Sequence, residues 1–575
     1  MIEPDVVRPA NALSPQLGPF ADRERRAWIA GLCLLCGLLI TMQAWAGRFS
    51  MNPDGISYLD MADKLLQRDF SPLVHPYWSP LYPCLLAFAL KVSPMPAMEF
   101  QAVHMANWLI GLIALASFTF FLNQHLASQA TTKGGESAAS FRCRTGFGYM
   151  LFLWGTVEAI GLAGVSPDLC VAALVYIAAG LCCRLVVGRS RWYVTSGLLG
   201  IILGFACLTK AAMVPLSAGL LALLTIRWRS VPVRRSSLAI IALGFIIVLG
   251  PYVFALSYHQ RRLTFGEAGR LNYAWLVQGG IPVHAGWMGQ QPTVGTPAHP
   301  PRLLSSDPPV LEFRNTVPAT YPLWYDPVYF HEGLQVKFDF GKQLSTMAKS
   351  PTTLRWAFGS VLYPLLAGVF VLACLASPRQ VWIKLSRSLL LSWSLVAFVV
   401  FALVTIEARY VSGFMVLFWL AIYDAFSPDK LKATCRGAIS VTAVCILFLQ
   451  MHALLKTGVD TRRMAGESAH LVVASELGRL GLQAGDEIAT VGSGFYAYYA
   501  RLARLRIAAN IGWTGNVRSG NEQPLALDDT KVNAIRDKLR RLHIKAIVGQ
   551  ENQVVTVSNA WHSIGETGYR VLLLE

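Results

Sequence analysis

The side chains in this sequence that could carry chemistry are a few charged residues placed beside long apolar segments. Asp54 follows Pro53 in the stretch after the first apolar run, where it opens a predicted amphipathic helix. Asp168 follows Pro167 at the start of a later predicted helix. A carboxylate at such a position can cap the helix N-terminus, or it can act as a general base on an acceptor hydroxyl or amine. The residues alone leave both interpretations open for Asp54 and Asp168.

Three further ionisable residues lie at the ends of apolar runs. Lys210 could extend its charge to the membrane interface, or it could serve as a point charge for a phosphate. Glu407 and Arg409 flank Ala408 and could form a salt bridge with each other. Alternatively, Arg409 could hold a phosphate through two hydrogen bonds, with the hydroxyl of Tyr410 adding another. Such a set would neutralise a departing phosphate.

An aromatic and proline-rich run follows the Asp54 helix. Its candidate ligand-binding side chains are His75, Tyr77, Trp78 and Tyr82. Rings of this kind concentrate at the membrane–water interface, so a structural belt is one interpretation. The alternative interpretation is that these side chains stack on the rings of a sugar or an acceptor. All four are therefore candidate binding residues.

The elements that must position these residues are membrane helices. The chain has 575 residues, of which 54% are hydrophobic and 14% are charged, whereas a soluble protein has about 25% charged residues. The net charge of +17 would suit nucleic-acid binding. However, the Lys and Arg residues lie mostly between apolar runs, so they predict membrane orientation and no nucleic-acid partner. The 11 cysteines show no metal-binding pattern, since Cys33 and Cys36 lie within one apolar run.

A bilayer span needs about 20 apolar residues, and roughly eleven candidate spans meet this measure. They are 28–45, 105–122, 147–163, 169–187, 193–208, 211–226, 238–256, 358–375, 389–405, 411–423 and 439–455. Arginines before the first span place the N-terminus in the cytoplasm. This orientation puts every basic cluster on the cytoplasmic side and places Asp54, Asp168, Lys210 and Glu407–Arg409 on the other. The chain is therefore predicted to be a multi-pass protein of an inner or plasma membrane.

The predicted fold is mainly α, with a small α/β domain at the C-terminus. Residues 1–456 form the helical bundle, and its outer loops are 48–100 and 258–355. The second loop is rich in Pro, Gly and aromatic residues, and a loop of that length usually covers a site. Residues 457–575 form the extracytoplasmic domain, with strands at 487–491 and 545–548 and a helix at 532–542.

In their order and spacing, these motifs resemble those of the glycosyltransferase C superfamily. The matching features are Asp54, Pro167–Asp168, Leu208–Thr209–Lys210 and Glu407–Ala408–Arg409–Tyr410. The most similar groups are the dolichyl-phosphate-mannose protein mannosyltransferase-like enzymes and the bacterial lipid A aminoarabinose transferases, and the resemblance covers residues 28–423. It implies an inverting transferase that takes a sugar from a polyprenyl-phosphate carrier at the outer membrane face. The acceptor would be a lipid, a glycan or a protein.

By this resemblance, Asp54 is the catalytic base and Asp168 is a second acidic catalytic residue. Lys210 and Arg409 would lie near the lipid phosphate, with Glu407 and Tyr410 in support. Gly55 stands where the family often has a second acid, which weakens the argument for a metal site but leaves a divalent cation open as a cofactor.

Two alternative functions remain at this stage, a transporter or flippase of lipid-linked saccharides and a non-catalytic membrane assembly factor. Transporters keep ionisable residues near the bilayer midplane, often in related halves. Here the charges lie at the outer edge and no internal repeat is evident, which favours the enzyme.

Overall fold

A computed structural model describes most of the chain and shows a helical bundle joined to a mixed α/β domain. The described residues are 19–93, 98–130, 137–187, 191–227, 235–278, 295–313, 318–426, 432–463, 469–492, 494–512, 527, 529–551, 553–554 and 560–574. The helices up to the second outer loop are α1 Pro19–Ala46, α2 Pro53–Leu66, α3 Leu81–Val92, α4 Glu99–Ala130, α5 Ala138–Trp154, α6 Asp168–Val186, α7 Trp192–Thr209, α8 Met213–Arg227 and α9 Arg235–His259.

The second half of the chain contains shorter helices, the last spans and the strands. Its helices are α10 Ala268–Leu276, α11 Pro322–Tyr325, α12 Pro327–Phe330, α13 Phe340–Phe358, α14 Leu362–Leu375, α15 Pro378–Arg387, α16 Leu389–Ala402, α17 Ala408–Phe426, α18 Ala433–Arg463, α19 Ala469–Arg479, α20 Tyr498–Leu502 and α21 Asp529–Arg541. Its strands are β1 Arg302–Ser306, β2 Pro309–Glu312, β3 Glu487–Val491, β4 Arg506–Ile511, β5 Ala546–Gln550, β6 His562–Ser563 and β7 Tyr569–Leu573.

The bundle has the helices that a multi-pass membrane protein requires. Within the described ranges, eight segments are long and apolar enough to cross a bilayer: α1, α4, α6, α7, α9, α13 with α14, α17 and α18. A ninth is added if α15 and α16, which meet at 69°, are counted as one span. Each of the eleven predicted spans overlaps a helix, but α5 and α8, which have 17 and 15 residues, are not among these eight or nine candidates. The predicted polytopic helical bundle is confirmed.

Helix α2 is fixed against the loop that precedes α6. Pro53 supplies the first helical residue, where its fixed φ suits the helix and its missing N–H is not needed. Asn52 is the N-cap residue, but its side chain makes no capping bond. Instead, its Oδ1 accepts the N–H of Val165 at 2.7 Å, and its Nδ2 donates to the carbonyl of Val165 at 3.3 Å. The start of α2 is thereby tied to the start of α6.

This close approach explains the glycine after Asp54. A Cβ atom at Gly55 would lie 2.7 Å from the Cβ of Val165 and 2.7 Å from the Sδ of Met51. A side chain therefore does not fit at this position unless the Asn52–Val165 contact opens. The side chain of a second acid at this position, which the resemblance would suggest, would clash with Val165 in this chain.

We expect Gly55→Ala to lower the free energy of unfolding by about 1–3 kcal/mol, because it overpacks a closed contact. The measurement is the thermal unfolding midpoint of the purified protein in detergent. Gly31→Ala is the matched control, since no atom lies within 4 Å of its added Cβ. Equal midpoints for the two variants would contradict the tight contact at Gly55.

The C-terminal domain contains a seven-stranded sheet in the order β1-β2-β4-β3-β5-β7-β6. Strands β4, β3 and β5 are parallel, and the other pairings are antiparallel. Both faces are covered: one by a cluster that includes Val473 and Leu477 of α19, the other by Val532 and Ile535 of α21. The predicted strands at 487–491 and 545–548 correspond to β3 and β5.

Two strands of this sheet come from residues 258–355, the segment predicted to be the second outer loop. Strand β2 of that loop pairs with β4, so that Val310 lies opposite Ile511. This loop was predicted only to cover a site, because it is long and its proline-rich segments show little periodicity. The predicted division of the chain near residue 457 stays a prediction, and the sheet connects residues from both sides of it.

Candidate active site

Four separate segments bring the predicted charged residues into one cluster. Asp54 lies in the first turn of α2, and Asp168 is the first residue of α6. Lys210 follows the last residue of α7, and Arg409 is the second residue of α17. Each of the four residues lies at or next to a helix end, and these helix ends lie together on one side of the bundle.

Arg409 lies between the two aspartates. Its Nη1 is 3.4 Å from Oδ2 of Asp54 and 3.8 Å from Oδ2 of Asp168. Lys210 approaches Asp168 from the other side, with 2.6 Å between its Nζ and Oδ1. The two carboxylates and two cations therefore alternate in a continuous chain of contacts.

Glu407 and Tyr410 complete the surroundings of the two cations. The Nε of Arg409 donates to Oε2 of Glu407 at 2.9 Å, and its Nη2 donates to the hydroxyl of Tyr410 at 3.2 Å. The Nζ of Lys210 lies 3.4 Å from the centre of the Tyr410 ring, within range of a cation–π contact. The salt bridge between Glu407 and Arg409 therefore exists, but Arg409 also reaches beyond it to Asp54.

Neither aspartate acts as a helix cap. The N-cap residue of α2 is Asn52, and that of α6 is Pro167. The Asp54 carboxylate accepts a hydrogen bond from Nε1 of Trp324 at 3.1 Å in addition to its contact with Arg409. Both acids lie in the first turn of a helix, where the helix dipole stabilises negative charge. The contacts of both carboxylates are instead with the two cations: Asp54 with Arg409, and Asp168 with Lys210 and Arg409.

The side chains of this cluster differ in how exposed they are to solvent. Asp168 is 1% exposed, whereas Asp54 and Lys210 are each 22% exposed. Arg409 is 29% exposed and Glu407 is 45% exposed. A substrate can therefore reach Asp54 and the two cations, with Asp168 behind them.

Burial also sets the protonation chemistry of Lys210. Because burial disfavours the ammonium form, it lowers the pKa of Lys210 below that of a free lysine, and the nearby Arg409 acts in the same direction. The contact with Asp168 opposes this shift but does not cancel it. Lys210 therefore loses its positive charge at a lower pH than a free lysine does.

The four predicted ring side chains have different positions. Three are buried: His75, Trp78 and Tyr82. The Nδ1 of His75 accepts the backbone N–H groups of Tyr77 and Trp78, and burial lowers the pKa of His75 to about 4, so its ring is neutral. The indole of Trp78 donates to the carbonyl of Tyr325 at 2.9 Å. The hydroxyl of Tyr82 donates to Oδ1 of Asn107 at 2.7 Å.

Tyr77 is the half-buried member of this group, and it lies beside the charged cluster. Its ring packs against Trp275 and Trp324, with centroid distances of 5.9 and 6.0 Å. Burial raises the pKa of Tyr77, and the charge of Asp54 contributes in the same direction, so the phenol stays protonated. Tyr77 can thus present a ring face and a hydroxyl next to Asp54.

Trp324 is a site residue that sequence reasoning did not single out. It comes from α11 in the second outer loop, donates to Asp54 and packs on Phe495 of the C-terminal domain at a centroid distance of 5.2 Å. The only sequence feature that pointed toward Trp324 was the high aromatic content of its loop, which was predicted to cover a site. Nothing in the loop marked this tryptophan among the others.

The described residues contain no group of three or more His, Cys, Asp or Glu side chains arranged to hold a metal ion. The divalent cation that the sequence leaves open as a cofactor stays a prediction.

Comparison with solved structures finds proteins of similar architecture at very low sequence identity. The apo structure of ArnT from Cupriavidus metallidurans gives a TM-score of 0.50 at 10% identity and covers 94% of this chain and 98% of that chain. The same protein bound to undecaprenyl phosphate gives 0.49 at 10% identity and covers 96% and 98%. The Archaeoglobus fulgidus oligosaccharyltransferase in complex with zinc and sulfate gives 0.47 at 11% identity and covers 90% and 68%. No family model matches the sequence, and no curated protein matches it.

The alignment with apo ArnT covers nearly all of both chains, and at this identity it is informative about the fold alone. The chain therefore has the same type of fold as ArnT, which agrees with the mainly α fold with a C-terminal α/β domain predicted from the sequence.

Proposed function

We propose that this chain is a membrane glycosyltransferase that moves a sugar from a polyprenyl-phosphate carrier to an acceptor. The site would lie at the extracytoplasmic face of an inner or plasma membrane, as the arrangement of basic residues predicts. The observation that carries the proposal is the position of Arg409, which contacts Asp54 and Glu407 and lies 3.8 Å from Asp168. A cluster of two cations and three acids at the ends of membrane helices suits a reaction at a lipid phosphate.

The reaction follows from the chemistry of the accessible groups. The Asp54 carboxylate takes the proton of an acceptor hydroxyl or amine as the acceptor atom attacks the anomeric carbon of the donor sugar. The bond between that carbon and the phosphate oxygen breaks, and its electron pair stays on the phosphate. Attack from the face opposite the phosphate inverts the anomeric centre. Lys210 and Arg409 stabilise the charge that develops on the departing polyprenyl phosphate.

Arg409 must exchange partners for this reaction to proceed. In the structure its Nη1 lies 3.4 Å from Asp54, so the guanidinium occupies the carboxylate that would act as the base. A lipid phosphate competes for the same guanidinium through stronger bidentate hydrogen bonds. Donor binding therefore draws Arg409 toward the phosphate and leaves Asp54 free to accept a proton.

The buried Asp168 and the half-buried Tyr77 take supporting roles in this scheme. At 1% exposure Asp168 does not reach a substrate, so it orients Lys210 and keeps Arg409 near the phosphate position. Tyr77 offers its ring to the sugar or acceptor beside Asp54. His75, Trp78 and Tyr82 hold the backbone that carries Tyr77.

The test uses full-length protein reconstituted into lipid vesicles with a labelled undecaprenyl-phosphate-linked sugar. This carrier is the first choice because ArnT of similar fold was solved with undecaprenyl phosphate bound. We expect free undecaprenyl phosphate to be released only when an acceptor is present, with the sugar recovered on that acceptor. Movement of intact donor across the vesicle without cleavage would instead identify a flippase.

We expect the affinity for undecaprenyl phosphate to fall at a higher pH in Lys210→Arg than in the wild-type protein. Because burial lowers the pKa of Lys210, the wild-type protein loses this cation as the pH rises through that lowered value. Arginine stays charged throughout the accessible range, so the variant retains its affinity at a pH where the wild type weakens. The measurement is the affinity for undecaprenyl phosphate against pH, compared in both proteins. Superimposable pH profiles would contradict a titrating Lys210 at the phosphate.

A further inference from the structure

The C-terminal domain contacts the helix that carries Asp54 through a buried ionic cluster. We call it the arginine junction; its members are Arg501, Arg504, Asp60, Asp63 and Glu99. Arg501 belongs to α20 of the domain, the two aspartates belong to α2, and Glu99 begins α4. The side chain of Arg501 is 3% exposed, and those of Asp60 and Glu99 are 5% and 2% exposed.

Arg501 uses all three of its nitrogen atoms in this junction. Its Nε and Nη2 donate to the two oxygens of Glu99 at 2.9 and 2.8 Å, which is a bidentate pair. Its Nη1 lies 2.7 Å from Oδ1 of Asp60 and 2.7 Å from Oδ2 of Asp63. One guanidinium from the domain thereby fixes two membrane-module helices, α2 and α4, relative to each other.

Arg504 supports the same arrangement from a more exposed position. Its Nη1 lies 2.5 Å from Asp63, and its Nη2 lies 2.7 Å from Glu99. An apolar cluster packs beside the junction and joins Tyr498 of the domain to Ile56 of α2. The contact between the domain and α2 is therefore both ionic and hydrophobic.

Asp60 extends the junction to the loop that carries Trp324. Its Oδ2 accepts the backbone N–H of Thr320 at 2.8 Å, and its Oδ1 accepts the Thr320 hydroxyl at 2.8 Å. Thr320 lies just before α11, whose Trp324 donates to Asp54. Asp60 therefore links the two segments that form the hydrogen bond between Trp324 and Asp54. It belongs to α2, which carries the acceptor Asp54, and it binds Thr320 in the loop that carries the donor Trp324.

We propose that Arg501 is a positioning residue for the transfer reaction and that it acts through Asp60. By fixing Asp60, it sets the separation of Trp324 and Asp54, and the C-terminal domain thereby orients the proposed base. This inference rests on the proposed function of Asp54. A small misplacement of a catalytic group can lower a rate by about 10²-fold, so a junction at this distance from the chemistry can control turnover.

The kinetic test compares Arg501→Gln and Arg501→Lys in the full-length, reconstituted protein. We expect Arg501→Gln to lower kcat by roughly 10- to 100-fold with the donor KM within about twofold, because the phosphate cations are not part of the junction. Arg501→Lys should be intermediate, since an ammonium cannot hold Glu99 and both aspartates in one planar fork. Arg479→Gln is the matched control: Arg479 is 77% exposed in the same domain and should behave as wild type.

A second readout is independent of catalysis. In protein labelled with 5-fluorotryptophan, the fluorine resonance of Trp324 is assigned by its loss in Trp324→Phe. We expect Arg501→Gln to shift this resonance and Arg479→Gln to leave it in place. If Arg501→Gln does not fold, Arg501→Lys takes its place in both measurements, because it keeps the positive charge in the junction.

The combined outcomes separate this inference from the proposed function. A wild-type protein without transfer activity, together with a Trp324 resonance that shifts in the Arg501 variants, would reject the proposed function but keep the structural part of the inference, that Arg501 positions Trp324. An unmoved Trp324 resonance with wild-type kcat in a folded Arg501 variant would overturn the positioning role. A loss of thermal stability with neither change would assign the junction to stability alone, and the proposal would also fail.

Discussion

Asp54→Asn should reduce sugar transfer by about 10²- to 10⁴-fold, the contribution that a general base makes to a reaction of this kind. Asparagine is nearly the same size and can still accept the hydrogen bond from Trp324, but it cannot take the acceptor proton. Binding of undecaprenyl phosphate should be as tight as in the wild type or tighter, because asparagine competes less for Arg409 than a carboxylate does. Asp54→Ala should lose transfer to the same degree.

The measurements are initial transfer rates and undecaprenyl phosphate affinity in the same reconstituted preparations. Asp69→Asn is the control, because Asp69 is an exposed acid in the same outer segment whose carboxylate accepts the N–H of Ser71. It should leave both quantities unchanged. Near-normal transfer by Asp54→Asn would remove Asp54 from the role of base and direct attention to Glu407.

Arg409→Gln should weaken undecaprenyl phosphate binding and reduce transfer by about 10²- to 10³-fold, comparable to the loss of a preorganised donor at a developing charge. The guanidinium is the group that contacts Asp54 and Glu407 and lies close to Asp168, so its removal also leaves three acids beside a single lysine. These acids would repel a phosphate. Arg409→Lys should recover part of the binding but not the bidentate geometry.

The pattern that identifies this role is a joint loss of lipid binding and turnover, in contrast to Asp54→Asn, which should lose turnover only. Arg142→Gln is the control, since Arg142 forms an exposed pair with Glu24 at 52% and 64% side-chain exposure and should tolerate the change. Wild-type affinity in Arg409→Gln would contradict contact between Arg409 and the phosphate.

Much of the fold could be predicted from the sequence, because its signals are local. Long apolar runs specify spans, and Pro53 and Pro167 mark the helix starts that carry the two aspartates. The distribution of Arg and Lys then predicted which helix ends share a side. The meeting of Asp54, Asp168, Lys210 and Arg409 follows from these rules, since each lies at or next to a helix end. Their functional roles stay predictions until the variants are measured.

The rest depends on contacts between distant residues that no local pattern reveals. Trp324 is 270 positions from Asp54, and its loop has no periodicity that would fix the direction of its indole. Arg501 is 441 positions from Asp60, and no local pattern in the sequence distinguishes it from the other arginines. His75 was predicted from its neighbours to be a ligand-binding or interfacial ring, but in the structure it accepts two local backbone N–H groups and is neutral.

The pairing of β2 with β4 has a consequence for biosynthesis. During translation, the β1–β2 hairpin emerges about two hundred residues before the strand that completes its edge, and the helices α13 to α18 must be inserted in the interval. An open strand edge of this kind attracts wrong partners while it waits. The order of synthesis thus leaves this edge of β2 without its partner strand until most of the chain has been made.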